Sequence, residues 1–294
     1  MNIVYLASMR LPTERAHGIQ IMAMCEALAE SGHQVTLVVP NRATKLLGDP
    51  YEYYGVKKNF TIERMPVLDI VRWGKVGFMI YLLSFGLACR RWLSSRKFDL
   101  VFSRDELPLS LVAPAAQGAV LVWESHRGSY NRWVRSLIAY GAKMVVISNG
   151  LAKYYLAKGI SRERMLVAHD AVKLSEFQDL PNQDEARQEF ALPSDRYLVM
   201  YVGSLEEWKG YKTLLKAAKK LPEKFLVVCV GGAPEQVASL KELYPNVQFF
   251  DYRPSKEVPR IMQAADLLVI PNTAQGDLSA HFTSPLKVFT AMAS

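Results

Sequence analysis

The first forty residues run from an apolar segment through an amphipathic one to a second apolar segment, and few folds accept that order. "NIVYLAS" at 2–8 is short and apolar; after a polar loop, Ile21, Met22, Cys25, Leu28 and Ala29 recur at helical spacing; Gly32 closes that helix and "HQVTLVVP" follows. A strand, a helix and a strand in this order make a parallel unit, because parallel neighbours need a long crossover connection. Further short Val-rich runs follow in "FDLVFSR", "AVLVWES" and "AKMVVIS". A second series opens with "YLVMYVGS", continues through a helical stripe of Tyr211, Leu214, Leu215, Ala218 and Leu221, and returns in "FLVVCVGG", "NVQFF" and "DLLVIPN". Unbroken apolar runs of this kind suit sheets covered on both faces. The expected fold class is therefore α/β, with two parallel-sheet domains facing a cleft. Length agrees, since single cores seldom grow past about 250–300 residues and this chain has 294. The expected boundaries are a first domain at 1–172, a polar linker with a short helix at 173–195, and a second domain at 196–294.

Charge separates the two halves. Residues 1–172 hold 22 Lys and Arg against 13 Asp and Glu, a balance of +9, whereas residues 173–294 hold 14 against 15, a balance of −1. Between 70 and 98 there are six basic residues and no acidic one, and within that run "VGFMIYLLSFGLAC" at 76–89 is uncharged. Fourteen residues fall short of the roughly 20 that span a bilayer, so a buried helix is expected, with an interfacial helix as the alternative. The basic surroundings suit an anionic partner, either membrane lipid or a phosphorylated substrate. No nucleic-acid-binding module accompanies the charge, and nucleic acid is not an expected partner. Cys25, Cys89 and Cys229 lie in apolar contexts without metal-ligand spacing and read as reduced core residues. Met1 leads straight into the first strand without a charged leader, so a cytoplasmic protein is expected.

Open parallel sheets bind ligands at the carboxyl ends of their strands, and neither half carries a dinucleotide fingerprint or a Walker-type phosphate loop there. What stands there instead is "RLPTERAHGIQ", "WESHRGSYNR", "VGSLEEWKGYKTLL" and "TSPLK". Lys209 precedes a helix, beside Gly210. Lys287 falls in the first turn of a helix opened by Ser284 as N-cap and Pro285 as first residue. Two cations and two helix starts at strand-to-helix corners are suited to a diphosphate. Ser284-x-x-Lys287 also matches a serine β-lactamase pattern, which the missing S-D-N and K-T-G partners and the parallel α/β pattern reject. His17 and His126 are expected in loops after strands, and the five histidines show no metal spacing.

"YVGSLEEWKGYKTLLKAAKKLP", "RPSKEVPRIMQAADLLVIPN" and "TSPLKVFTAMAS" resemble the nucleotide-binding domain of family-4 glycosyltransferases, in an S-P-L-K form; "RLPTERAHGIQ", "VWESH" and "VISNGLAKYYLAKGISRERMLVAHDAV" resemble its acceptor domain. The resemblance implies two Rossmann-like domains of the B-type fold and retaining transfer of a sugar from a nucleotide diphosphate to an acceptor hydroxyl. It implies no cofactor and no metal. It gives catalytic roles to His126 and Lys209, and donor contacts to Gly18, Gly203, Ser204, Tyr252, Arg253, Ser284, Leu286, Lys287 and Thr290. His17 and Glu124 fall on the acceptor side. Family members commonly carry arginine where Ser204 stands, and their paired glutamates align with Phe282 and Thr290. They also continue past Ser294, so the second domain is expected to be incomplete. The expected setting is cell-envelope or exported polysaccharide synthesis, with a lipid-linked acceptor and a peripheral place on the inner face of the membrane. The alternative is a non-catalytic or truncated relative that keeps the fold with weak donor binding.

Overall fold

The computed structural model describes residues 1–294 apart from Lys45, Leu47, Ser255, 274–280, Thr283 and Pro285. The expected place of Pro285 at a helix start lies outside the described residues. The chain forms two compact units, Met1–Ala168 and His169–Ser294.

In the first unit β1 (Asn2–Leu6) leads through α1 (Ala16–Glu30) to β2 (Gln34–Pro40), then α2 (Pro50–Tyr54) and β3 (Thr61–Met65). The chain continues with α3 (Gly74–Ser94), β4 (Leu100–Ser103), α4 (Glu106–Val112) and β5 (Val120–Ser125). It closes with α5 (Arg132–Ala139), β6 (Lys143–Val146), α6 (Asn149–Ala157) and β7 (Met165–Val167). All seven strands are parallel, in the order β3-β2-β1-β4-β5-β6-β7. The order reverses between β1 and β4, and the space beyond their carboxyl ends is where such sheets hold ligands. Ile3, Tyr5 and Leu37 pack with Met22 and Cys25 of α1 in one buried cluster. The Ser103 hydroxyl donates to the Leu6 carbonyl at 2.8 Å across the switch point.

β3 and β7 were not expected from the sequence, and they are the two edges of this sheet. An edge strand covers fewer neighbours, so "TIERM" and "MLV" keep exposed positions and lack the apolar run that marks the central strands.

The helix over "VGFMIYLLSFGLAC" is longer than that segment, and it is not buried all round. α3 has 21 residues, about 31 Å at 1.5 Å per residue, and the stretch 71–94 is long and apolar enough to cross a membrane. Gly77, Tyr81, Phe85, Gly86, Cys89 and Leu93 form its buried face. Val76, Met79 and Leu87 are exposed on another.

The second unit begins with α7 (Gln183–Glu189), β8 (Tyr197–Val202), α8 (Tyr211–Ala218) and β9 (Phe225–Val230). α9 (Pro234–Leu243), β10 (Val247–Phe250), α10 (Val258–Met262), β11 (Leu267–Leu268) and α11 (Leu286–Ala293) follow. Its four parallel strands lie in the order β10-β9-β8-β11. Alternation along β8 sends Val199 and Tyr201 into a cluster with Tyr211, Leu215 and Val237. Leu198 and Met200 enter another with Ala186, Ile261 and Ala264. Both faces are thus covered, and full burial of each large apolar side chain contributes about 1.5–3 kcal/mol.

The segment 173–195, expected as a linker, is built into this unit. α7 opens on a reciprocal cap between Asn182 and Glu185, which satisfies two otherwise unpaired amides. From α7 the buried Arg187 donates to Asp266 at 2.6 Å and to the Ala264 carbonyl at 3.0 Å. Asp266 in turn accepts from the Leu198 amide at 2.6 Å.

Candidate functional site

In the second unit the site starts where β8 ends. Gly203 adopts a φ of +148°, and a Cβ there would lie 2.5 Å from Cε and 2.6 Å from Nζ of Lys287. Only a residue without a side chain lets that ammonium group reach the strand end. Lys287 is the second residue of α11; its Nζ donates to the Tyr201 hydroxyl at 2.7 Å and lies 4.0 Å from the centre of the Tyr201 ring. Lys209 arrives from the other side, at the end of a short 3-10 turn over Glu207–Lys209. Gly210 after it has φ +76°, and a Cβ there would strike the Pro271 carbonyl oxygen at 1.7 Å. Lys209 donates to the Ser204 hydroxyl and, at 3.2 Å, to Glu206. Glu206 also accepts from Ser204 at 2.9 Å and from the Trp208 indole at 2.6 Å.

Burial pushes the Lys287 ammonium down to about 7, the Lys209 charge adds to that shift, and Glu206 opposes it. Gly203, Ser204, Lys209 and Lys287 are therefore brought together at the end of one strand. The remaining residues expected at the donor stand elsewhere or are otherwise engaged. Ser284 is buried, and its hydroxyl accepts from the Asp170 amide at 2.9 Å. Leu286 opens α11. The Thr290 hydroxyl turns back to the Lys287 carbonyl within α11, at 2.9 Å. Tyr252 and Arg253 follow β10, two strands away from β8. Arg253 pairs with Glu257 at 3.3 Å, and its buried Nε has no hydrogen-bond partner among the described residues.

In the first unit, Glu124 is the last but one residue of β5, and His126 directly follows the strand. The Arg104 guanidinium donates to His126 Nδ1 at 2.7 Å, and an arginine has no acceptor to offer. Nδ1 is then the acceptor, and Nε2–H donates to the buried Glu124 carboxylate. Both ring nitrogens are thus occupied. Arg104 also donates to Gln20 at 3.0 Å.

His17 is not in a loop, as expected, but is the second residue of α1. Burial lowers its pKa, helped by the charges of Arg104 and Arg15. Gly18 gives its close approach to this unit's own residues, since a Cβ would meet the Tyr54 hydroxyl at 2.5 Å and Thr13 at 2.6 Å. Arg104, Tyr201 and Glu206 were not singled out from the sequence, although each lies in or beside a quoted strand end. Among the described residues no three His, Cys, Asp or Glu side chains group as metal ligands.

Two parallel α/β units with these strand orders are consistent with the B-type glycosyltransferase architecture. The Glycosyltransferase Family 4 model matches residues 18–176, and the model of group 1 glycosyl transferases matches residues 182–286. The chain belongs to this family of glycosyltransferases. It is 23% identical to D-inositol 3-phosphate glycosyltransferase of Corynebacterium efficiens, over 92% of this chain and 68% of that protein. Against a protein of the same name from Mycolicibacterium smegmatis the match covers only 28% of the relative's length. WcaI of Escherichia coli, named for colanic acid biosynthesis, is 22% identical over 90% of this chain and 76% of its own.

Among solved structures, WaaG, a glycosyltransferase involved in lipopolysaccharide biosynthesis, superposes with a TM-score of 0.67 at 18% identity, covering 99% of this chain and 78% of WaaG. Anabaena Alr3699/HepE in complex with UDP superposes with a TM-score of 0.66 at 16% identity, covering 93% and 75%.

Proposed function

We propose that the protein transfers a sugar from a nucleotide-diphosphate donor to an acceptor hydroxyl with retention of configuration, in the synthesis of a cell-envelope or exported polysaccharide. The observation that carries this reading is the pair of ammonium groups at Gly203 and Ser204. Lys287 is buried beside Lys209 strongly enough to bring its pKa to about 7, and a dianionic group between the two lysines relieves that repulsion. In transfer, the bond from the anomeric carbon to the diphosphate breaks, a bond from that carbon to the acceptor oxygen forms, and the acceptor hydroxyl's proton passes to the departing diphosphate oxygen. The charge left on the diphosphate falls to Lys209 and Lys287, in the manner of preorganised electrostatic stabilisation. HepE's complexes with UDP and with UDP-glucose support a nucleotide sugar as donor. The reading needs no metal or other cofactor.

His126, held by Arg104 and Glu124, contacts the donor sugar in this reading. The first unit, basic and with the apolar stripe of α3, rests on the inner face of an anionic membrane that carries a lipid-linked acceptor. One feature favours the second reading, a relative with weak donor binding: the Thr290 hydroxyl is spent within its own helix.

The test is a thermal-shift panel of UDP, GDP, ADP and CMP sugars, followed by turnover with the sugar that stabilises the protein most. Lys209→Ala is expected to weaken that donor at least about tenfold, since a charge-assisted hydrogen bond contributes about 1.5–3 kcal/mol. Stabilisation without turnover would favour the second reading. No stabilisation by any of them, or equal binding by the alanine variant, would sink the donor site.

A further inference from the structure

The first unit holds a cavity of about 760 Å³ at the carboxyl ends of β1, β2, β4 and β5. Five arginines line it, Arg10, Arg15, Arg42, Arg104 and Arg127, against two carboxylates, Asp105 and Glu106. Both carboxylates are engaged inside the unit. Asp105 accepts from the Ser8 amide at 2.7 Å. Glu106 accepts from Ser129 at 3.2 Å and Asn131 at 3.1 Å, with Arg127 at 3.6 Å.

The arginines differ in how they are held. Arg104 is committed to Gln20 and His126. Arg42 donates through Nε to Asp69 at 3.0 Å and stacks 4.6 Å over the Tyr81 ring. Asp69 does not itself line the cavity, so it orients the fork of Arg42 without occupying the space in front of it. Arg10 pairs with the exposed Glu14 at 2.6 Å, an interaction of little strength in water that a better anion displaces. Arg15 has no ion-pair partner among the described residues. Trp123 on the same wall carries a buried indole N–H without an acceptor among the described residues. The depressed pKa of His17, caused by burial and then by Arg104 and Arg15, reports the same positive field. Beside Arg42 the wall turns apolar at Val71 and Phe78.

We infer that this cavity binds the acceptor through a phosphoryl group, as a phosphate monoester or a diphosphate ester gripped by Arg10, Arg15 and Arg42, with the esterified group leaving past Val71 and Phe78. Planar forks on several sides match the several oxygens and double charge of a phosphate better than the two oxygens of a carboxylate. The inference rests on the transferase reading above and assigns its acceptor class. That class has two sources, a lipid diphosphate anchored in a membrane or a soluble sugar phosphate.

The experiment titrates the whole chain with inorganic pyrophosphate, farnesyl diphosphate and a hexose 6-phosphate by calorimetry. It is run on the Lys209→Ala/Lys287→Ala protein so that the donor corner cannot capture the probe. Binding of pyrophosphate is expected to survive the lysine changes and to fall about tenfold or more with either Arg15→Ala or Arg42→Ala. Two single variants guard against one of them misfolding, which circular dichroism checks. Farnesyl diphosphate at least tenfold tighter than pyrophosphate assigns the lipid source, and hexose phosphate tighter than farnesyl diphosphate assigns the soluble one; equal affinities support the phosphoryl class alone. The inference is overturned if no probe binds, or if binding is lost with the lysines and unaffected by the arginines. Failure of the donor reading would appear instead as no response to any nucleotide sugar, with this titration unchanged.

Discussion

Lys287 is a residue whose proton balance a bound anion is expected to change. Its pKa is held at about 7, against 10.5 for an unburdened lysine, first by burial and then by Lys209. Between those values the unfolded chain binds the extra proton and the folded one does not, so the ligand-free protein gains stability as pH rises from 7 towards 10. A bound diphosphate reverses the shift. Donor binding at pH 8 is therefore expected to take up a proton, and donor affinity to weaken as pH rises from 7 to 9. Calorimetry in two buffers of different ionisation enthalpy measures the uptake, and Lys287→Met should abolish it. An uptake unchanged in that variant would assign the proton to another group.

Among the elements, α3 carries the clearest expectation. Val76, Met79 and Leu87 follow helical spacing, and Val76 is 69% and Leu87 55% exposed. They stand in a stretch whose only charges are basic. Vesicles of anionic lipid should bind the protein at low salt and release it as salt screens the attraction over about 8 Å at physiological strength. Changing Val76 and Leu87 together to Asp should cut binding by about tenfold with little change in Tm, as read by co-sedimentation. Equal recovery with neutral vesicles at low salt would refute the anionic surface. The central strands were legible because each is buried on both faces, whereas β3 and β7 were not, because an edge needs fewer apolar residues. Lys209 and Lys287 were legible for a local reason too: each stands at a helix start, Lys209 just before α8 and Lys287 as the second residue of α11. Arg42 and Arg104 come from positions 62 apart, and only the order β2-β1-β4 brings them to one wall. Pairings made by topology leave no local trace.

Each unit of the molecule has its own sheet and its own core, and each core contains thiol. Cys25 and Cys89 are buried in the first unit and Cys229 in the second. Burial pushes all three thiols up, Cys229 to about 12, so few thiolates exist at neutral pH to react. Alkylation then requires that the surrounding unit open. A nucleotide held at Lys209 and Lys287 should slow labelling of Cys229 severalfold more than that of Cys25 and Cys89, and pyrophosphate on the lysine-free variant should do the opposite. Peptide mass spectrometry separates the three sites, and uniform slowing under both ligands would contradict the division of labour between the units. The buried cysteines thus act as built-in clocks, one set in each half of the chain. The unmodified protein can report which half a newly found ligand has taken.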